Sequence, residues 1–456
     1  MSYATVIKGG TIFTPDDSFV GDLAIDGEKI AAVSPDSLSG QEEVDAAGKY
    51  VFPGFIDPHV HIHLPFMGTN AIDDHASATQ AALVGGTTTV IEMICPGPED
   101  EPQAAFDEWS NLAAAGACCD YSFHLAVVRF DDLARTQIRN LVANSGVQSF
   151  KVFLAYKGAL DISDENLFEL MLMARELGVT ITAHCENADA VDAMQKKLIA
   201  EGKTGPEWHE PSRPRCVEAD GVNHLCGFAE LTGAKVYIVH TSCESAVARA
   251  LESRGRGVDV TVEAVVPHLV LDKTYAERAN FEGAKYVMSP PLRDSAECDA
   301  LWNGLASGAI GTIGTDHAPF NFNGQKDMGR EAFTKIPNGI PSIQERVDLV
   351  HAHGVMQGKI DLRTLVDTCS TNAAKTFKMF PQKGALAVGS DADVVLYDPA
   401  FTGLFTQKQS LSQVDYCGFE GMPRRGRAEQ VFLRGQRVAL EGTFVGTPAA
   451  GRYLSR

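Results

Sequence analysis

The chain has 456 residues, with 45% hydrophobic and 21% charged side chains: a globular composition, and a length beyond what one hydrophobic core usually serves. Its 39 Lys and Arg against 59 Asp and Glu give a formal net charge of -20, which opposes nucleic-acid binding, where a basic footprint is expected. Ten cysteines without a CxxC pair read as free thiols in a reducing compartment, hence a cytoplasmic protein; neither a signal core nor a run of about 18 apolar residues is expected to carry it into or across a membrane.

Residues 1–50 predict short strands at 4–8, 11–13, 21–25, 29–33 and 43–45, separated by GG, PDD, DGE and SPDS turns. Similar material returns in GSDADVVLYDP (389–399), 431–433 and RGQRVALEGTFVG (434–446). The two ends, residues 1–51 and 385–456, are expected to close one small β-sandwich around a large inserted unit, 52–384. Inside that unit the rhythm is strand, loop, helix. Strands are expected at 51–58, 87–93, 121–128, 147–153, 179–184, 235–240, 259–263 and 311–315. Helical patterns cover 75–83, 164–177 and 245–254, with Asp164 as a cap and Gly178 as a stop. Eight alternating strands predict an α/β fold of the (β/α)8 barrel type over an open doubly wound sheet. Two excursions interrupt it: 185–234, whose GKTGPEWHEPSRP reads as an extended surface segment, and 265–308.

The stretch VFPGFIDPHVHIHLPFM (51–67) places His59, His61 and His63 at alternate positions, the period of a strand. Two imidazoles on one face, with Asp57 two residues earlier, make half of a metal site. The alternative is a His-rich strand edge with its rings satisfied by hydrogen bonds. A barrel carries its active site at the carboxyl ends of its strands. There this chain places His59 and His61, Lys151, His184, His240 and Asp316. Imidazole and carboxylate donors suit zinc or another borderline divalent ion. Lys151 is the oddity: an ammonium does not ligate a metal, and a buried one is costly unless paired or chemically altered.

The DPHVH core, SFKVFLAYKG (149–158), TAHCEN (182–187), VHTSC (239–243), SPPLRD (289–294), TDHAPFNFNGQK (315–326) and FTKIPNG (333–339) closely resemble the cyclic amidohydrolases. More narrowly, they resemble dihydropyrimidinases and hydantoinases, and the likeness runs on through VDYCGFEGM (414–422). The resemblance implies two divalent metal ions per subunit, usually zinc. His59, His61 and Asp316 would hold one and His184 and His240 the other, with Lys151 carboxylated (N6-carboxylysine) and bridging both. It implies hydrolysis of the cyclic amide bond of a hydantoin or dihydropyrimidine to an N-carbamoyl amino acid. Asp316 would carry the proton and Tyr156 would donate to the developing oxyanion; Tyr156, Ser289 and Asn338 would bind substrate, the last two through main-chain groups. It also implies a homo-oligomer, commonly a tetramer.

Dihydroorotases characteristically have an arginine two residues after the second histidine of HxH, suited to a substrate carboxylate. Here that position is His63, followed by Leu64, Pro65, Phe66 and Met67, so a neutral ring with an apolar substituent fits better. An allantoinase or cyclic imide hydrolase is the alternative. Noncatalytic dihydropyrimidinase-like assembly proteins share the fold but typically lack part of the metal set, which is complete here. VEAVVPHLVLD (262–272) departs from the cysteine, proline, glutamine and tyrosine run usual in relatives, and leaves His268 as either a pocket or a surface residue.

Overall fold

The computed structural model describes residues 2–456. Short apolar strands joined by tight turns build its first sheet. In it β1 (Tyr3–Phe13) pairs antiparallel with β2 (Ser18–Asp26), and β2 with β3 (Lys29–Ser34). Along the other edge of β1 lie β4 (Gly40–Asp45) and β5 (Tyr50–Pro53), both parallel to it. The Gly9–Gly10 pair, expected as a turn between two strands, is instead an irregularity within one continuous strand, where the register shifts between Ile7 and Gly10. Gly10 suits the crowding there, since a Cβ would stand 2.5 Å from Val51 Cγ2.

The expected strand 51–58 divides between two sheets. Tyr50–Pro53 stays with the first sheet, and β6 (Phe55–Val60) opens the barrel. Gly54 is the joint, held by its N–H donating to Asp393 O at 2.8 Å. A Cβ there would lie 2.1 Å from Thr88 Oγ1, so only glycine lets the two sheets approach this closely. After a small hairpin, β7 (Pro65–Phe66) and β8 (Thr69–Asn70), come β9 (Thr87–Ile94), β10 (Asp120–Ala126), β11 (Ser149–Phe153), β12 (Thr180–His184), β13 (Lys235–Ile238), β14 (Val260–Val265) and β15 (Thr312–Gly314). With β6 they form eight parallel strands in the order 15-14-13-12-11-10-9-6. Asp316 N–H donates to His59 O at 2.9 Å and His61 N–H to His317 O at 2.9 Å, which draws the first and last strands together into a nearly closed barrel. β9 and β10 are buried along their whole length, as strands of a sheet covered on both faces are, although polar residues such as Glu92 and His124 are interspersed among their apolar ones.

The chain then returns to the first sheet through β16 (Val394–Leu404), β17 (Pro423–Leu433), β18 (Gln436–Leu440) and β19 (Thr443–Phe444), giving nine strands drawn from both ends. Ile7, Ile12, Leu23 and Val44 share one buried cluster with Val394, Leu396 and Phe432, so the ends build a common core.

The helices follow their sequence patterns closely, at His75–Val84, Asp164–Leu177 and Glu244–Gly255. Asp164 is not the cap, however. Ser163 is, its Oγ accepting from Asn166 N–H, and Asp164 sits in the first turn, where its charge suits the helix dipole. Gly178, at φ 67°, ends that helix as expected. The reading of 185–234 as an extended surface segment is overturned. It is largely helical, with Ala188–Ala200 and Arg215–Thr232 the main pieces, and its HEPSR turn is packed inward with His209, Ser212 and Arg213 buried. Among the described residues no helix is long and apolar enough to cross a membrane.

Candidate metal and substrate site

At the carboxyl ends of the barrel strands the structure brings the expected polar residues together. His59 is the last residue but one of β6, and His61 directly follows the strand's end; their rings lie 5.2 Å apart. Both Nε2 atoms approach the same Asp316 oxygen, at 3.2 and 3.1 Å. His184 closes β12 and His240 lies just beyond β13, with ring centroids 4.5 Å apart, and His240 is 5.3 Å from His59. Lys151 projects from the middle of β11, buried and without an ion pair among the described residues. The pairing that would offset a buried ammonium is therefore not what the structure shows. Burial lowers Lys151 to about 8 and keeps the His61 imidazole neutral, at about 4. Burial would raise the Asp316 carboxyl, but His59 and His61 beside it hold it below the usual range.

A divalent ion fits this donor set. His59 Nε2, His61 Nδ1 and His240 Nδ1 are buried without a hydrogen-bond partner, and His59, His61 and Asp316 offer ligand atoms within 4.8 Å of one another. Neutral imidazoles and a carboxylate suit zinc-like ions. Asp57, read from the sequence as part of this half-site, is not. It accepts from Thr315 Oγ1 at 2.6 Å and from His59 N–H at 3.2 Å, so it laces β6 to the exit of β15 instead.

Beside the cluster opens a cleft of about 460 Å³. His61, Lys151, His184, His240 and Asp316 form its polar base; Leu64, Phe66, Met67, Cys95, Phe153 and Leu160 form apolar walls; and Tyr156, Ser289 and Asn338 stand along one side. Tyr156, at φ 63°, lies 5.3 Å from the His184 ring and 5.4 Å from Phe66. Burial raises its pKa, so the phenol stays a proton donor. Asn338 Nδ2 donates to Ser289 Oγ at 2.9 Å, and His209 Nε2 lies 3.3 Å from the same oxygen. His63 turns away from the cleft, 5.2 Å from His75. His268 is neither a surface residue nor part of the cleft wall: it is buried and donates from Nε2 to Pro290 O at 2.9 Å.

Three buried residues of the site were not foreseen. Glu186 accepts from His184 Nε2 at 2.6 Å and pairs with Arg213, whose guanidinium carbon is 5.4 Å from the Tyr156 ring centre. Glu263 accepts from His59 Nδ1 at 2.7 Å. Glu263 ends the strand expected at 259–263, so the end-of-strand rule that found the histidines pointed to it as well. Nothing local in SRPR marks Arg213.

The amidohydrolase family model matches residues 50–438. The chain is 42% identical to the D-hydantoinase of Geobacillus stearothermophilus, over 99% of this chain and 96% of that protein. It is 37% identical to the dihydropyrimidinase of Rattus norvegicus, over 99% and 88%. Among solved structures, the D-hydantoinase (dihydropyrimidinase) from Thermus sp. superposes with a TM-score of 0.96 at 49% identity, covering 99% of each chain.

Proposed function

The chain belongs to the amidohydrolase family, and on that premise we propose that it is a cyclic-amide hydrolase, opening hydantoins and dihydropyrimidines to N-carbamoyl amino acids. The observation that carries this reading is the meeting of His61, Lys151, His184, His240 and Asp316 at the base of one apolar-walled cleft, with His59 packed directly behind them. Two divalent ions, most readily zinc, held by those six residues would make water a nucleophile near neutral pH and polarise the ring carbonyl.

Lys151 would serve as N6-carboxylysine. Its neutral Nζ would form an N–C bond to carbon dioxide and give one proton to solvent, turning a buried amine into an anionic oxygen donor. Asp316 takes the proton of the attacking water and passes it to the leaving ring nitrogen. The Tyr156 hydroxyl donates to the carbonyl oxygen as negative charge develops there. Main-chain groups of Ser289 and Asn338 hold the NH–CO edge of the ring, and Leu64, Phe66 and Met67 receive its substituent. Among the described residues no arginine lines the cleft, which favours a neutral ring over one carrying a carboxylate. A complete polar base argues against a noncatalytic assembly role. We take residues 52–384 as the catalytic unit, 1–51 with 385–456 as the small one, and a cytoplasmic homotetramer as the working form. The ten unpaired cysteines fit a reducing compartment.

The test is a panel of dihydrouracil, hydantoin, 5-phenylhydantoin, allantoin and dihydroorotate on metal-loaded enzyme. The expected order places the hydantoins and dihydrouracil highest in kcat/KM. Dihydroorotate or allantoin in first place would overturn the substrate assignment.

A further inference from the structure

Glu263 lies on β14, fully buried, and its carboxylate gathers hydrogen-bond donors from three places in the barrel. Oε1 accepts from His59 Nδ1 at 2.7 Å and from the main-chain N–H of His240 at 2.8 Å. Oε2 accepts from the Tyr237 hydroxyl at 2.7 Å, and that hydroxyl also lies 2.7 Å from Thr312 Oγ1. An ionised carboxylate only accepts, so three donors suit it and would not all suit an amide. No lysine or arginine forms an ion pair with it among the described residues, in contrast to Glu186, which shares its charge with Arg213.

Two consequences follow from the Oε1 contacts. The proton on His59 is held at Nδ1, which leaves the Nε2 lone pair facing the cluster, 3.2 Å from Asp316 Oδ1. His240 has φ 38°, a left-handed backbone unfavourable for a residue with a side chain. Its N–H bond to Oε1 holds it there, with its ring 4.5 Å from that of His184. Gly314 makes room for the arrangement: a Cβ at that position would stand 3.0 Å from Glu263 Oε2 and 3.1 Å from His59 Cβ.

We propose that Glu263 is a positioning residue that sets both halves of the metal centre through one oxygen, the tautomer of His59 on one side and the backbone of His240 on the other. The proposal rests on the metal-centre reading above. It assigns to β14 a supporting role beside the ligands on β6, β11 and β12 and at the exits of β13 and β15.

The experiment measures zinc affinity by chelator competition, metal per chain, and the visible spectrum of the cobalt-substituted protein, for wild type, Glu263→Gln, Gly314→Ala and His59→Asn. Circular dichroism confirms the fold of each. Glu263→Gln should weaken zinc binding by about 10- to 100-fold, the usual effect of losing an outer carboxylate behind a ligating histidine, and should change the cobalt bands. Gly314→Ala, which leaves Glu263 in place but crowds its carboxylate against His59, should shift the cobalt bands in the same direction. It supplies the answer if Glu263→Gln does not fold. Wild-type affinity and an unchanged cobalt spectrum in the folded variants would overturn the proposal. The metal-centre reading fails separately, if His59→Asn keeps its full metal complement.

Discussion

Beside Met67 in the cleft wall, three polar residues of the site hold a left-handed backbone without being glycine: Tyr156 at φ 63°, His240 at 38° and Asp316 at 51°. Such conformations cost of order 1–3 kcal/mol each and persist only where the surroundings over-determine them. For Asp316 the surroundings are visible. Its N–H donates to His59 O at 2.9 Å, and its carboxylate stands between the His59 and His61 rings. An amide is nearly the same shape but does not shuttle a proton. Asp316→Asn is therefore expected to fold normally and to lose turnover by at least about 100-fold, the lower range for removing a positioned acid–base group. Metal analysis alongside kcat separates the loss of a ligand from the loss of a proton carrier. Turnover within tenfold of wild type would remove Asp316 from the proton-carrying role.

The β7–β8 hairpin turns through Met67 and Gly68, at φ 51° and 83°, the two-residue turn whose twist matches its strands. Gln325 pins it by donating from Nε2 to Thr69 Oγ1 and Asn70 O, both at 2.7 Å, and the turn presents Phe66 to the cleft. Phe66→Ala should lower kcat/KM for 5-phenylhydantoin by about tenfold relative to unsubstituted hydantoin, since only the former fills the apolar wall. Equal losses on both substrates would place the substituent elsewhere.

A second brace joins the segments that carry Ser289 and Asn338. The buried Lys326 Nζ donates to Val287 O at 3.1 Å and to Pro337 O at 2.9 Å. Burial lowers its pKa from 10.5 to about 7. Between those values the unfolded chain holds a proton that the folded chain lacks, so this lysine makes stability rise with pH across that window, and its cost is full below it. The stability of wild type relative to Lys326→Met should accordingly increase by about 2–4 kcal/mol between pH 7 and 9.5, read from denaturation midpoints. A constant difference would mean that the folded protein keeps the proton.

On the scale of the molecule, the barrel floor and the terminal sheet are joined by charge as well as by apolar packing. Lys383 Nζ, buried, lies 2.5 Å from Asp120 at the start of β10, and 2.7 and 3.0 Å from Asp393 and Asp391 just before β16. Arg434, after β17, pairs with Asp120 from the other side. Removing one member of a buried ionic group strands the others. Lys383→Met is expected to cost about 3–5 kcal/mol and to lower the unfolding midpoint, with the cleft chemistry of the folded fraction unchanged. A loss below about 1 kcal/mol would show that the apolar interface alone holds the two parts together.

Much of this protein was legible in the sequence because it is written in local patterns. Apolar runs that end in His59, His184, His240 or Asp316 mark both a strand and the end of the barrel it faces, and the spacing of residues 164–178 marks a helix and its stop. The pairing of the two termini was inferred from composition alone, and it holds because neither set of strands has enough apolar surface to close a core without the other. What only the tertiary structure decided lies in contacts between residues far apart. Glu263 meets His59 across 204 positions, and Asp57 meets Thr315 across 258. The inward turn at His209–Arg213 is polar and proline-rich, which reads as surface, and its burial becomes acceptable only once Glu186 is there to receive the guanidinium. Residue type and spacing select which groups face one end of a barrel. Which of them hold the site and which lace the strands together depends on the partner that folding brings within hydrogen-bond distance.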